Sequence, residues 1–284
     1  MKIGIVILNY LAYKVTMETV ESFMKQDTDG NEIKIVIVDN CSPNESYEKL
    51  CEAYAENPVV EVICTEKNLG FANGNNFGFK KLQEEMKPDF VIISNDDILL
   101  PQPGLFRWMI DCYEKYSFAV LGPDVYSVNG KFHQNPFESF TKDPKECKKE
   151  IEKLKKMYLK CRIKKLLHYT TYSGVVQWEN KFYQEVHDDM TLHGSFQIFS
   201  SAYFKHYDLP YDPRTFLYRE EDILRLRCDQ KNLRCVYDPG YQIEHLQAVS
   251  TNMVHEDDNK KEVARFKNLL DATNVYLEVL NESK

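Results

Sequence analysis

Residues 90–97 read Phe-Val-Ile-Ile-Ser-Asn-Asp-Asp, an apolar, β-favouring run that ends on two adjacent carboxylates, Asp96 and Asp97. A run this short suits a buried strand rather than a free-standing helix. Carboxylates are costly to desolvate, so a pair at the end of a buried strand faces a crevice or a cation. A polar strand-to-loop turn is the plainer account of the triplet by itself. The rest of the chain decides between the two.

Outward from this stretch, the first 125 residues repeat one pattern. Residues 3–8, 33–38, 59–64, 90–94 and 118–121 are short β-branched runs that predict strands, and 15–26, 46–56, 75–86 and 105–116 suit helices between them. In the first helix Met17, Val20, Phe23 and Met24 recur at helical spacing. Such alternation predicts an α/β fold with a mostly parallel central sheet, right-handed crossovers and helices on both faces. The polar residues just past the strand ends then converge on one rim: Asn9, Asp39 with Asn40, and Asn95 with Asp96 and Asp97.

Composition narrows the function classes. The 284 residues are 43% hydrophobic, 28% charged and 13% aromatic, the make-up of a globular chain rather than a disordered one. A net charge of −8 argues against a general nucleic-acid binder, which needs a basic face. No apolar run approaches the roughly 20 residues that span a bilayer. The apolar N-terminus reads better as a first strand than as a signal segment, because Asn9 and Tyr10 interrupt it. The eight cysteines are scattered, with no C-x-x-C pair, so neither zinc ligation nor a disulfide framework is indicated. Reduced, packing thiols in a cytoplasmic protein are the expectation.

Residues 141–168 differ in character. They are dense in lysine, and Ile151, Leu154, Tyr158, Ile163 and Leu167 recur roughly at helical spacing. A solvated helix with one face on the body of the protein is the plain account; a basic amphipathic element lying on anionic lipid headgroups is the alternative. Beyond it, 174–204 looks β-rich, 220–230 helical, and 261–280 a closing helix.

Four clusters carry chemistry. Asp39 ends a strand, where a carboxylate accepts hydrogen bonds from ribose or base donors, or caps a loop. Residues 68–79 pack three glycines and four asparagines into an expected strand-to-helix connection, where small residues let a ligand approach the backbone. Their spacing is neither a dinucleotide fingerprint nor a Walker loop. Asp96 and Asp97 suit Mg²⁺ or Mn²⁺, which bind through one or two carboxylates with waters and phosphates completing the shell. His245 follows a strand-like run, although a lone histidine is more often structural. Glu220, Glu221 and Asp222 sit at an expected helix start, where the macrodipole explains acids, yet aromatic neighbours would also raise a carboxylate's pKa toward general-base work.

Taken in order, Val6-Ile-Leu-Asn-Tyr10, Val36-Ile-Val-Asp-Asn40, Asn68-Leu-Gly-Phe71 through Gly74-Asn-Asn76, Ser94-Asn-Asp-Asp97, Phe216-Leu-Tyr-Arg-Glu-Glu221 and Glu244-His245 resemble the inverting family 2 glycosyltransferases of GT-A fold. The likeness runs from Ile3 to about Ser250 and is closest to the bacterial rhamnosyl- and galactofuranosyltransferase branch. It implies one continuous GT-A domain: a nucleotide-sugar-binding half (1–125), a mixed acceptor and catalytic half (126–255) carrying the lysine-rich insertion, and a C-terminal helix (256–284). By this resemblance Leu8, Asn9, Tyr10 and Asp39 line the base and ribose site, and Asn68, Gly70, Gly74, Asn75 and Asn76 flank the nucleotide sugar. Asn95-Asp96-Asp97 stands for the D-x-D-type motif, with Asp96 toward the sugar or ribose and Asp97 as metal ligand, His245 being a second. Glu221, with Glu220 beside it, matches the acidic pair that supplies the base, and Gly194-Ser195 the turn that approaches the donor diphosphate.

The implied cofactor is a divalent cation, Mn²⁺ or Mg²⁺. The implied partners are a UDP- or dTDP-sugar donor and a glycan or lipid-linked acceptor in bacterial surface polysaccharide synthesis. Nucleic acid is not among them. The implied location is the cytoplasm; the lysine-rich pattern of 141–168, about which the resemblance says nothing, makes that segment the candidate contact to the inner face of the cell membrane. Two other readings are a nucleotidyltransferase, whose glycine- and lysine-rich loop Tyr10-Leu-Ala-Tyr-Lys14 lacks, and a catalytically silent nucleotide-sugar- or glycan-binding domain.

Overall fold

The computed structural model describes residues 1–166, 180–247 and 258–282. Strands β1 (Lys2–Asn9), β2 (Glu32–Asp39), β3 (Val60–Cys64) and β4 (Phe90–Asn95) pair in parallel in the order β3-β2-β1-β4. Side-chain alternation decides which helix each strand residue meets. Ile3, Ile5, Ile7, Ile35 and Ile37 pack with Val20 and Phe23 of α1 (Tyr13–Met24) and Leu50 of α2 (Ser46–Tyr54). Val6, Val36 and Val38 pack on the opposite face with Ala72, Phe79 and Leu82 of α3 (Gly70–Glu85). With both faces covered, the central strands β1 and β4 read as near-continuous apolar runs, whereas Lys34 and Glu61 interrupt β2 and β3 toward the edge. The chain builds outward from β1 to β2 and β3, then crosses to place β4 on the other side. Where strand order reverses in this way, the carboxyl ends leave a crevice.

The second half departs from parallel pairing. After the short β5 (Ile98–Leu99) and α4 (Leu105–Tyr116) come β6 (Val120–Ser127), β7 (Phe132–His133), α5 (Pro144–Leu166), β8 (Phe196–Ser200), α6 (Ser201–Phe204), α7 (Glu220–Gln230), β9 (Cys235–His245) and α8 (Asp258–Glu282). Strand β8 inserts antiparallel between β4 and β6, β9 runs parallel to β6, and β5 pairs antiparallel with β9. The result is a mixed, curled sheet in the order β3-β2-β1-β4-β8-β6-β9-β5, with β7 on β6.

A bulge in β9 aims its end at the rim. Its register with β6 jumps from Gly122 opposite Tyr237 to Asp124 opposite Gln242. Pro239 lies in the looped-out stretch, where its missing N–H costs no ladder bond. Asp238 anchors the bulge to α4 by accepting from Trp108 Nε1 (3.1 Å) and the Tyr116 hydroxyl (3.0 Å). The strand then ends with His245 opposite Ile98, just past the Asp96-Asp97 pair.

Three local expectations are corrected. The Gly/Asn-rich stretch is not a loop: α3 starts at Gly70 and includes most of it. Gly74 and Gly78 sit on its inner face, where an added Cβ would fall 2.5 Å from Leu8 Cδ1 and 2.6 Å from Val6 Cγ1. They serve close helix-to-sheet packing. The strand expected at 118–121 begins only at Val120 and runs on to Ser127 as β6. Of the β-rich expectation for 174–204, residues 174–179 lie outside the described residues, 196–200 are a strand, and 201–204 turn helical. Between 180 and 195, isolated bridges, His187 to Tyr237 and Thr191 to Phe137, replace a ladder.

The expected helices at 220–230 and 261–280 both form. Helices α5, α7 and α8 share a third apolar cluster that includes Cys147, Ile151, Ile223, Leu226, Tyr276 and Val279. Ile151 and Leu154 of the predicted α5 stripe are buried, but Ile163 is 50% exposed, and Leu167 lies outside the described residues. Five of the eight cysteines, Cys112, Cys147, Cys161, Cys228 and Cys235, are buried. Among the described residues no helix is long and apolar enough to cross a membrane.

Candidate active site

At the carboxyl ends of β1, β2 and β4 lies a cavity of about 620 Å³. Leu8, Tyr10, Asn40, Asn68, Gly70 and Phe71 line one side, and Asn95 and Asp96 the side toward β4. Phe216, Leu217 and Tyr218 close it from the approach to α7, and Lys261, Ala264, Arg265 and Asn268 of α8 cover it.

Asn40 holds the 68–70 segment in shape. Its amide donates to Asn68 Oδ1 (3.2 Å) and Gly70 O (3.1 Å), and its Oδ1 accepts from Leu69 N (2.9 Å). Gly70 has φ +77°, and a Cβ there would fall 2.2 Å from Phe216 O. The next amide, Phe71 N, donates to that same carbonyl at 2.7 Å. Only glycine therefore lets the segment leading into α7 dock on this side of the cavity.

Not every predicted residue reaches this cavity. Asn9 and Asp39 are fully buried. Asn9 Nδ2 donates to Asp39 Oδ2 (2.6 Å), Ser42 N donates to Asp39 Oδ1 (2.8 Å), and Thr16 Oγ1 donates to Asn9 Oδ1 (2.8 Å). The pair thus braces the strand ends behind Leu8 and Tyr10. Gly74 packs on Leu8, Asn75 donates to Phe71 O within α3, and Asn76 bonds the Tyr211 backbone through both its amide nitrogen and its oxygen.

The remaining candidates meet at residues 193–195. Ser195 O accepts from Asn95 N (2.8 Å), and Gly194 N donates to Glu221 Oε1 (3.2 Å). A Cβ on Gly194 would lie 2.8 Å from that carboxylate oxygen, so the glycine admits Glu221. His193, which the sequence reading passed over, has Nδ1 2.9 Å from Ser195 Oγ and its ring centroid 5.7 Å from that of His245. Burial, and secondarily the charge of His245, push it down to about 3, so it stays neutral at physiological pH. A single histidine of this kind carries almost no sequence signal. The α8 cover was also missed, although Lys261, Arg265 and Asn268 recur at i, i+4 and i+7 and so share a helix face.

Asp97 and His245 fit a divalent cation. His245 Nε2 lies 3.2 Å from Asp97 Oδ1, yet that buried oxygen has no hydrogen-bond partner. His245 Nδ1 lies 2.7 Å from Gln134 Oε1, a contact that holds the ring with Nε2 facing the carboxylate. A carboxylate oxygen and an imidazole nitrogen side by side make a donor set suited to a divalent cation. Among the described residues no cluster of three or more candidate ligands exists. Substrate phosphates and water would complete the shell, which is the usual habit of Mg²⁺. Beside the pair, Asp96 Oδ2 is likewise buried without a partner, and burial, then the charge of Asp97, hold its carboxyl well above the usual range.

The acidic pair sits on a strained helix entry. Tyr218 (φ 80°) and Arg219 (φ 64°) are consecutive non-glycine residues in the left-handed region, a cost retained where geometry matters. Asp222 is already used: it accepts from Arg219 Nη1 (2.8 Å) and Phe140 N (3.1 Å), while the Arg219 guanidinium stacks 3.6 Å from the Phe140 ring centroid. Glu220 is 4% exposed and Glu221 is more open. Burial raises Glu221, against donation from Gly194 N. Burial, then the charge of Glu221, push Glu220 up to about 8.

A raised carboxyl pKa destabilises the fold when the group must ionise. Folded Glu220 holds its proton between about 4.5 and about 8, where the unfolded chain has lost it. Its favourable term is complete below pH 4.5 and is lost as pH rises through about 8. Glu220→Gln should therefore match the parent at pH 5 but melt roughly 5 °C higher at pH 8.5. Equal melting temperatures at both pH values in differential scanning fluorimetry would refute the buried, protonated Glu220.

The profile of the family described as Glycosyl transferase family 2 matches residues 4–183. No curated protein is a significant sequence match. In three dimensions the chain resembles the crystal structure of S. aureus TarS 1-349 in complex with UDP-GlcNAc, with TM-score 0.58 and 15% identity over 94% of this chain and 72% of that one. The same TarS fragment with UDP gives TM-score 0.57 and 15% identity over 94% and 71%. GalNAc-T7 with UDP, GalNAc and Mn²⁺ gives TM-score 0.62 and 14% identity over 94% of this chain but only 47% of that one. At such identities the likeness is one of fold, and the mixed, curled sheet flanked by helices is consistent with GT-A. Because the profile spans well over half of the sequence, the chain belongs to glycosyl transferase family 2.

Proposed function

We propose that this glycosyltransferase is inverting and metal-dependent, and that it moves a sugar from a UDP- or dTDP-sugar to a hydroxyl of a glycan or lipid-linked acceptor in bacterial surface polysaccharide synthesis. The order of its motifs favours the rhamnosyl- and galactofuranosyltransferase branch. One observation carries the reading. The 193–195 turn joins a strained acidic helix entry to a buried aspartate–histidine pair, beside a nucleotide-sized cavity.

The roles follow from position. Leu8, Tyr10, Asn40, Asn68 and Gly70 hold the nucleoside, with Asn9 and Asp39 bracing the strand ends behind them. Asn95, Asp96 and the Gly194-Ser195 turn face the diphosphate and sugar. Asp97 and His245 would hold a divalent cation, whose charge stabilises the departing diphosphate. Glu221 accepts the proton of the acceptor hydroxyl as its oxygen bonds to the anomeric carbon. The bond from that carbon to the diphosphate oxygen breaks on the opposite face, so configuration inverts. Glu220 stays protonated beside it and keeps the pair at a single negative charge. Residues up to about 125 form the donor half, and 126–255 supply the acceptor side.

A donor panel tests the proposal. With Mn²⁺, at least one UDP- or dTDP-sugar should release its nucleoside diphosphate at ten times the metal-free rate or faster. Donors that bind by calorimetry without any release, acceptor glycans included, would instead favour a silent binding domain.

A further inference from the structure

Helix α5 carries nine lysines and one arginine against three glutamates, in a chain whose net charge is −8. The charge is also sorted by face. Cys147, Ile151, Leu154 and Cys161 are buried against the body. The opposite face presents Lys145, Lys148, Lys149, Lys153 and Lys156 around a shallow concavity that contains one acid, Glu152. The same face continues into an apolar end. Leu159 (56% exposed), Ile163 (50%) and Leu166 (80%) follow at i, i+4 and i+7, so they form one stripe. Lys160 and Lys165 are exposed beside them. Single exposed leucines are ordinary, but three in a stripe flanked by lysines are not.

We propose that this face of α5 seats the enzyme on an anionic lipid surface, with the lysines on the headgroups and Leu159, Ile163 and Leu166 entering the interface. Charge complementarity selects the occupant. A second copy of this chain would bring the same lysines face to face. Anionic headgroups match them, and the apolar stripe adds burial that a soluble polyanion would not give. The placement also serves the site. Helix α8 packs on α5, and its Lys261, Arg265 and Asn268 cover the donor cavity. Cys161 Sγ lies 3.7 Å from Glu262 Oε2, next to that covering residue Lys261. Docking through the apolar end of α5 therefore brings the cavity's cover close to the bilayer.

The test uses the full chain and sedimentation with vesicles of phosphatidylcholine alone or with 30% phosphatidylglycerol, at ~50 and ~500 mM salt. Binding should require the anionic lipid and fall at high salt. At about five-fold per lysine, replacing Lys148, Lys149, Lys156 and Lys160 with Gln should weaken it at least a hundred-fold. Leu159→Ser with Ile163→Ser should weaken it several-fold and lower the binding that survives high salt. Circular dichroism and melting temperature should be unchanged in both variants. Sedimentation equal to the parent in the lysine variant would overturn the proposal, as would no preference for anionic vesicles. A dimer in light scattering that dissociates in the Leu159/Ile163 variant, with no vesicle binding, would assign the face to self-association instead.

Discussion

Glu221→Gln is expected to lower kcat by roughly 10³-fold while leaving the donor dissociation constant within about threefold, since a positioned general base contributes about 10²–10⁴-fold. The change keeps the shape and the acceptor oxygen for Gly194 N, so donor-side geometry survives. It removes the negative charge that must receive the acceptor's proton. Burial already raises this carboxyl above an ordinary glutamate. A base must be ionised, so kcat/KM should fall on acidification, with the limb displaced upward from about 4.5 and belonging to the Glu220–Glu221 pair rather than to one residue. Turnover above one tenth of the parent's, measured as diphosphate release with the best donor, would remove Glu221 from the role. Asp222 does not inherit it, because Arg219 and the Phe140 amide occupy its oxygens.

The second large effect concerns Asp97. Asp97→Ala should weaken UDP binding in the presence of Mn²⁺ by about 100-fold, or about 2.7 kcal/mol, while UDP binding in EDTA stays unchanged. As the proposed ligands the pair would supply two protein donors, so losing one would remove half of the protein's share. His245→Ala should act in the same direction and more weakly, near tenfold, because an imidazole supplies no charge. Calorimetry of UDP with and without Mn²⁺ separates these outcomes from a folding defect. If Mn²⁺ fails to tighten UDP binding to the parent protein, the Asp97–His245 pair is not the cation site.

The parallel half of the fold was legible because its physics is local. Strands β1 and β4 are covered on both faces and read as near-continuous apolar runs, β2 and β3 keep β-branched runs toward the sheet's edge, and the helices between them carry one-sided stripes. The start of α3 was not legible. Glycine and asparagine are poor helix formers and point to a loop, but here Gly74 and Gly78 are needed where the helix touches β1, and tertiary packing overrides propensity. The insertion of β8 between β4 and β6 was equally hidden, since antiparallel pairing across about a hundred residues leaves no local trace.

The site divides in the same way. Asp97, Glu221, His245 and the 194–195 turn are polar residues at element ends, where side-chain type and position announce a role. Their proximity was only implied by a familiar order of motifs. His193, the α8 cover and the commitment of Asn76 to the Tyr211 backbone depend on which face of an element meets which neighbour.

The sequence by itself determined the α/β class, the parallel pairing of the N-terminal half, the strand-end position of Asp96 and Asp97, and the family. The class and the strand ends follow from periodicity and residue type, which act within a few residues of chain, and the family from the ordered motifs that resemble it. The tertiary structure alone decided that Asn9 and Asp39 turn inward, that Gly70 admits the Phe216 carbonyl, and that the bulge in β9 carries His245 to Asp97. Each depends on contacts between segments far apart in sequence, and no local preference encodes such a distance.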